Sequence, residues 1–134
     1  MDAHCQCGQL CAHVADSAQA MTVLCHCIDC QRRSGSPFGT IAYYPRDAVE
    51  ITGEAREFTR PTDAGNTFTH GFCPVCGSSV YARASRMPEI TGVMVGAMAD
   101  PAFPPPLRSV YEQSQHQWLE LPATMAHHIR GRDS

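Results

Sequence analysis

Seven of the eight cysteines fall into three tight groups: Cys5 and Cys7 in C-Q-C-G, Cys25, Cys27 and Cys30 in C-H-C-I-D-C, and Cys73 and Cys76 in F-C-P-V-C-G. Thiolates two or three residues apart can turn toward one ion, and a glycine after the second cysteine relieves the turn so that backbone N–H groups approach sulfur. Gly8 and Gly77 hold that position. Pairing Cys5 and Cys7 with Cys73 and Cys76 gives a four-thiolate tetrahedron, whose closure suits structural zinc. Such a site ties the N-terminal segment to mid-chain and contributes on the order of 10 kcal/mol to folding at neutral pH. Disulfides fit these pairs poorly because C-x-C spacing is too tight for the bond's geometry. Iron–sulfur ligation is the other use of such thiolates.

The middle group supplies three thiolates and leaves a fourth coordination position open, as catalytic sites do. Three anionic sulfurs exceed the charge of Zn²⁺, so the ion activates water less well than one held by three histidines. A soft thiolate from a substrate is the natural fourth ligand, held deprotonated yet still nucleophilic. Cys25, Cys27 and Cys30 are therefore the candidate catalytic residues. Arg32 and Arg33 follow at once; they either offset the surplus charge or hold a carboxylate of the incoming thiol, or they are two solvated arginines. Ser34, with Gly35 and Ser36, presents backbone N–H groups to a peptide-like ligand or simply ends a helix. His26 is expected to point away from the metal, as a proton shuttle or a solvent-side residue. Cys11 is a free thiol, a packing residue or a fourth ligand for the middle group. Trp118 and Tyr111 read as core or pocket-wall aromatics, and His116, His127 and His128 as exposed.

The 134 residues, 43% hydrophobic and 17% charged with formal net charge −3, suit one domain spanning 1–134. A chain of this size buries roughly 65–70% of its unfolded surface, so it needs no disulfide staples. The segment Met1–Cys5 lacks the basic start and apolar stretch of a signal peptide, and no apolar run spans a membrane. A cytoplasmic location follows as the expectation, where clustered cysteines serve metal or redox chemistry. All ten basic residues are arginine. That excludes a Schiff-base or phosphate-loop lysine, and their scatter along an acidic chain argues against a nucleic-acid partner.

Short apolar alternations at Leu10–Val14, Phe38–Tyr43, Val49–Ile51, Glu54–Thr59, Asn66–Phe72, Ser78–Arg83, Glu89–Met98 and Arg108–Glu112 predict about eight strands by their period of two. One short helix is predicted over Ile28–Arg33, stopped by Gly35 and Pro37. The reading is one mainly antiparallel β domain with a ragged tail at Gly131–Ser134.

The motifs C-Q-C-G-Q-L, C-H-C-I-D-C-Q-R-R-S-G-S-P-F and G-F-C-P-V-C-G-S-S-V-Y, with Gln117-Trp118-Leu119-Glu120 late in the chain, together resemble one family. It is the glutathione-dependent formaldehyde-activating enzyme family, whose domain is shared with centromere protein V. The resemblance implies a mainly β fold of stacked antiparallel sheets, with Cys5, Cys7, Cys73 and Cys76 on a structural zinc. It implies a second, more labile zinc on Cys25, Cys27 and Cys30. It implies carbon–sulfur lyase chemistry, joining glutathione and formaldehyde into S-hydroxymethylglutathione or cleaving that bond. Two zinc ions, a small thiol and an aldehyde or related electrophile are the expected cofactors and partners. The alternative is a non-catalytic, zinc-stabilised glutathione carrier or protein-interaction module.

Overall fold

In the computed structural model, which describes residues 1–134, the alternating runs become strands of two sheets. The smaller, antiparallel sheet joins β1 (Asp2–His4), β2 (Cys11–Val14) and β5 (Val49–Thr52) in the order β1-β2-β5. The larger contains β3 (Met21–Cys25), β4 (Gly39–Pro45), β6 (Arg56–Pro61), β7 (Thr67–Phe72), β8 (Ser79–Ala84), β9 (Ile90–Met94), β10 (Arg108–Val110) and β11 (Ala126–His127). Its order is β11-β10-β3-β4-β9-β8-β7-β6. The sheets stack: Ala3, Ala12 and Val14 from the small one, with Leu10 just before β2, share a core with Ala42, Tyr44, Val80 and Val93 from the large one. The fold is mainly β, as expected. No helix is long and apolar enough to cross a membrane.

The helix predicted over Ile28–Arg33 runs over Ile28–Ser34 as α1, closed by Gly35 at φ 69°. Glycine suits that stop because it adopts the left-handed region without a Cβ clash. Three corrections concern the strands. Eleven form rather than about eight. β1 and β11 have three and two residues, too few to show a period, and β3 is covered on both faces so that Met21, Val23 and Leu24 do not alternate with polar residues. The run Glu89–Met98 is a strand only to Met94; Val95–Met98 is a helical turn, α2, that swings Met98 into the core. The run Arg108–Glu112 likewise ends at Val110, because Tyr111 takes φ 58° and a 3₁₀ turn follows at Glu112–Ser114. β10 lies parallel to both β3 and β11, so the large sheet is mixed at this edge. The tail is tied back: the Arg130 N–H donates to Ser134 Oγ at 2.9 Å, and Ser134 Oγ donates to the Gly131 carbonyl at 2.6 Å.

His127, on β11, pairs through Nδ1 with Glu112 Oε2 at 2.6 Å. That hydrogen bond lifts the imidazole pKa above its ordinary 6.5. The raised value means that the stabilisation is complete below pH 6.5 and is lost as the pH rises through the folded-state pKa. An NMR titration of the ring is expected to show a midpoint above 6.5 that Glu112→Gln lowers, the hydrogen bond to the Pro122 carbonyl remaining. A wild-type midpoint at or below 6.5 would contradict the pairing.

Candidate metal centres

The turn between β1 and β2 and the turn between β7 and β8 are built alike. In the first, the Gly8 N–H donates to the Cys5 carbonyl at 3.1 Å with Gly8 at φ 85°; in the second, the Gly77 N–H donates to the Cys73 carbonyl at 2.8 Å with Gly77 at φ 80°. This shape aims backbone donors at sulfur. Leu10 N–H donates to Cys5 Sγ at 3.3 Å, and Val75 and Cys76 N–H donate to Cys73 Sγ at 3.3 and 3.5 Å. Side chains add to it: Gln9 Nε2 donates to Cys73 Sγ at 2.9 Å, and the Ser78 hydroxyl lies 3.4 Å from Cys76 Sγ. The Ser78 hydrogen bond draws the Cys76 thiol down to about 5, in the thiolate range at neutral pH.

These two turns bring the sulfurs of Cys5, Cys7, Cys73 and Cys76 within 4.8 Å of one another. Cys7 lies 3.6 Å from both Cys5 and Cys73. Four sulfurs about 2.3 Å from a tetrahedral zinc stand about 3.8 Å apart, so the spacing fits that ion without rebuilding. No disulfide links any of the eight cysteines.

The second cluster forms where β3 ends and α1 begins. Cys25 is the last strand residue; Cys27 caps the helix, its sulfur accepting the Cys30 N–H at 3.3 Å; Cys30 lies in the first turn. Their three sulfurs also lie within 4.8 Å of one another. Hydrogen bonds from the Cys25 and Cys30 thiols lower the Cys27 pKa and, reciprocally, raise that of Cys25. A thiolate is thus favoured at the helix N-terminus, and a soft divalent ion fits three such donors.

His26, between two of the cysteines, is fully buried rather than solvent-facing. The reason is alternation: with Cys25 and Cys27 turned to the cluster, His26 turns inward onto β10. Its Nε2 lies 2.8 Å from Ser109 Oγ, its N–H donates to the Val110 carbonyl at 3.1 Å, and its own carbonyl accepts from Gln31 Nε2 and Ser114 Oγ, both at 2.8 Å. The residue linking Cys25 and Cys27 is therefore anchored on several sides.

A cavity of about 330 Å³ opens on this cluster. Tyr43, Phe68, Arg60, Asp63, Tyr111 and Ser114 are among its lining residues. Arg60, from β6, stacks 4.8 Å above the Phe68 ring and reaches Asp29 at 3.5 Å. Tyr111 donates to both Asp63 carboxylate oxygens at 2.8 Å. Burial, then that hydrogen bond, pushes the phenol up to about 12, so it stays protonated at neutral pH. β10 and β6 lie near opposite ends of the large sheet. The sheet therefore curls until its ends face each other across the cavity, joined by Tyr111 and Asp63.

The residues expected beside the middle cysteines are distributed differently. Arg33 and Ser34 line a second cavity of about 710 Å³, next to Cys5, while Arg32 is exposed. Arg33 Nη1 donates to Met94 Sδ at 3.5 Å, and only the missing Cβ of Gly39 leaves room for its guanidinium. The basic residue in the first cavity is Arg60, which sequence reading missed; its place on the solvent-facing run of a strand gives no signal of the curl that brings it there. Tyr111 is a cavity wall, as expected. Trp118 is not: it is 68% exposed, in the loop following the 3₁₀ turn. His116 and His127 are exposed, and His128 is half-buried. Cys11 lies with Asp2 and His4 in the small sheet, apart from the three-cysteine cluster.

Fold and sites together define a small mainly β domain with one closed cysteine cluster and one open on a cavity. The chain belongs to the glutathione-dependent formaldehyde-activating enzyme family, whose sequence model matches residues 1–118. A crystal structure of a Rhodobacter sphaeroides protein shares the fold at 21% identity with a TM-score of 0.55, covering 78% of this chain and 92% of that one.

Proposed function

We propose that this chain is a zinc-dependent carbon–sulfur lyase that joins glutathione or a related small thiol to formaldehyde and cleaves the same bond in reverse. The observation that carries the reading is the trio Cys25, Cys27 and Cys30, whose sulfurs converge beside a cavity containing one guanidinium and two carboxylates. Cys25, Cys27 and Cys30 would hold a zinc ion, which would stabilise a substrate thiolate at neutral pH.

The remaining work falls to the side chains. Arg60 binds a substrate carboxylate by a charge-assisted hydrogen bond. Its partner Asp29 is 58% exposed, so solvent weakens that ion pair and a ligand can replace it. Asp63, and the Tyr111 oxygen whose proton Asp63 holds, accept from the ammonium or amide N–H groups of a peptide-like thiol. Phe68, Ile41 and Val23 wall the cavity and limit water. The substrate sulfur, placed by these contacts, attacks the aldehyde carbon; a carbon–sulfur bond forms, the carbonyl π pair moves to oxygen, and that oxygen takes a proton from water. The reverse reaction removes the hydroxyl proton, restores the carbonyl and returns the electron pair to sulfur.

The guanidinium gives the test. Arg60→Gln is expected to raise KM for glutathione about 10–100-fold with kcat nearly unchanged, since a hydrogen bond to a charged group is worth about 1.5–3 kcal/mol. Rates are measured above the uncatalysed reaction of formaldehyde with thiol. An unchanged KM would remove Arg60 from the site, and a wild-type protein that does not bind glutathione in a calorimetric titration would overturn the reading.

A further inference from the structure

The small sheet carries a second pattern that the two cysteine clusters do not use. In Asp2-Ala3-His4 and Cys11-Ala12-His13 every second residue is a metal-ligating type. The antiparallel register sets Asp2 opposite His13 and His4 opposite Cys11, with Ala3 opposite Ala12. Alternation along a strand then places all four ligating residues on one face, while both alanines are fully buried on the other. That outer face is where Cys11 is found, yet Cys11 is only 5% exposed. Its sulfur sits beneath polar side chains rather than among apolar ones.

The distances suit an ion. Ligand atoms of Asp2, His4 and Cys11 all lie within 4.8 Å of one another. His13 Nδ1 flanks this trio, 2.9 Å from Asp2 Oδ1 and 3.8 Å from Cys11 Sγ, but stands outside the set that is mutually within 4.8 Å. Around a tetrahedral zinc, nitrogen, oxygen and sulfur ligands stand about 3.4–3.6 Å apart, so the trio is close to that geometry and the half-exposed His13 side chain must rotate to join it as the fourth donor. His13 also has an orienting partner: Thr52 Oγ1, on the neighbouring β5, lies 3.3 Å from Nε2. In the 2.9 Å contact Nδ1 donates to Asp2; binding an ion would move the imidazole proton to Nε2, where Thr52 Oγ1 accepts it, and free the Nδ1 lone pair, the arrangement that metal-ligating histidines need.

We propose that this face is a third metal site, independent of both cysteine clusters, binding a borderline divalent transition ion of the zinc or cobalt type through Asp2, His4, Cys11 and His13. One thiolate, one carboxylate and two imidazoles match the donor preference of that class and exclude calcium and magnesium, which take oxygen. The ligands come from the two strands that flank the Cys5–Cys7 turn. An ion here therefore pins the N-terminal hairpin from the solvent side.

The test uses the full chain, equilibrated by dialysis against a fixed free Zn²⁺ concentration and analysed for bound metal. Wild type is expected to hold one equivalent more than the Asp2→Asn/His4→Gln double variant, and the affinity for that equivalent to fall at least about 100-fold, since loss of an outer-shell partner alone costs about 10–100-fold. Both substitutions are at exposed positions, and far-UV circular dichroism verifies that the variant is folded. With Co²⁺ in place of Zn²⁺, the same equivalent contributes sulfur-to-cobalt charge transfer that Cys11→Ser abolishes. Equal metal content in wild type and double variant would overturn the site and leave Asp2 and His13 as a simple ion pair. The difference is read against the wild type's own metal content, so the outcome is separate from whether Cys25, Cys27 and Cys30 act on a thiol.

Discussion

Cys27→Ser is expected to lower thiol–aldehyde turnover at least about 100-fold while leaving the fold intact. The residue has two roles that serine separates. As the N-cap of α1 it accepts the Cys30 N–H, and serine is among the best N-cap residues, so the helix keeps its start. As a member of the three-sulfur cluster it is the group at which the negative charge is most favoured, through hydrogen bonds from Cys25 and Cys30. Serine cannot supply that thiolate. Metal analysis should show one ion fewer per chain, circular dichroism an unchanged fold, and the rate a fall to the uncatalysed background. Full activity in a folded Cys27→Ser protein would end the lyase proposal; glutathione binding without turnover in wild type would favour the carrier.

The second large effect is on stability. Cys73 is fully buried, and its sulfur is the hub of the closed cluster, touching Cys7 Sγ, Gln9 Nε2 and the N–H groups of Val75 and Cys76. A structural zinc on four thiolates contributes on the order of 10 kcal/mol. Net domain stabilities are only about 5–15 kcal/mol. Cys73→Ala is therefore expected to abolish cooperative urea unfolding at 37 °C, and a strong chelator to do the same to wild type. A Cys73→Ala protein with an unshifted midpoint would show that packing alone holds the two turns together.

Much of this architecture is legible in the chain because cysteine spacing and strand alternation are local signals. C-Q-C-G and C-P-V-C-G each fix a turn by the positive φ of Gly8 and Gly77, and α1 is bounded by Cys27 and Gly35. What escaped was set by distance in three dimensions. Arg60 and Tyr111 are 51 positions apart and line one cavity only because the large sheet curls; no local pattern encodes curl. Arg33 and Ser34 lie three and four residues after Cys30, on the same side of α1, yet both line another cavity, a difference that sequence spacing does not carry. His26 illustrates the intermediate case, for its burial follows from alternation with Cys25 and Cys27 once the strand β10 behind it is known.

The contact of Tyr111 with Asp63 closes the cavity by side chains rather than by strand pairing. Ligand-holding and wall-forming positions consequently occupy different stretches of chain: the sulfurs come from residues 25–30, whereas Arg60, Asp63 and Tyr111 come from the two ends of the sheet. Evolution can retune the shape and charge of the walls while leaving the three-sulfur cluster untouched. On the proposed lyase reading, the scaffold separates the choice of electrophile and thiol from the sulfur chemistry itself, and lets the two diverge at different rates.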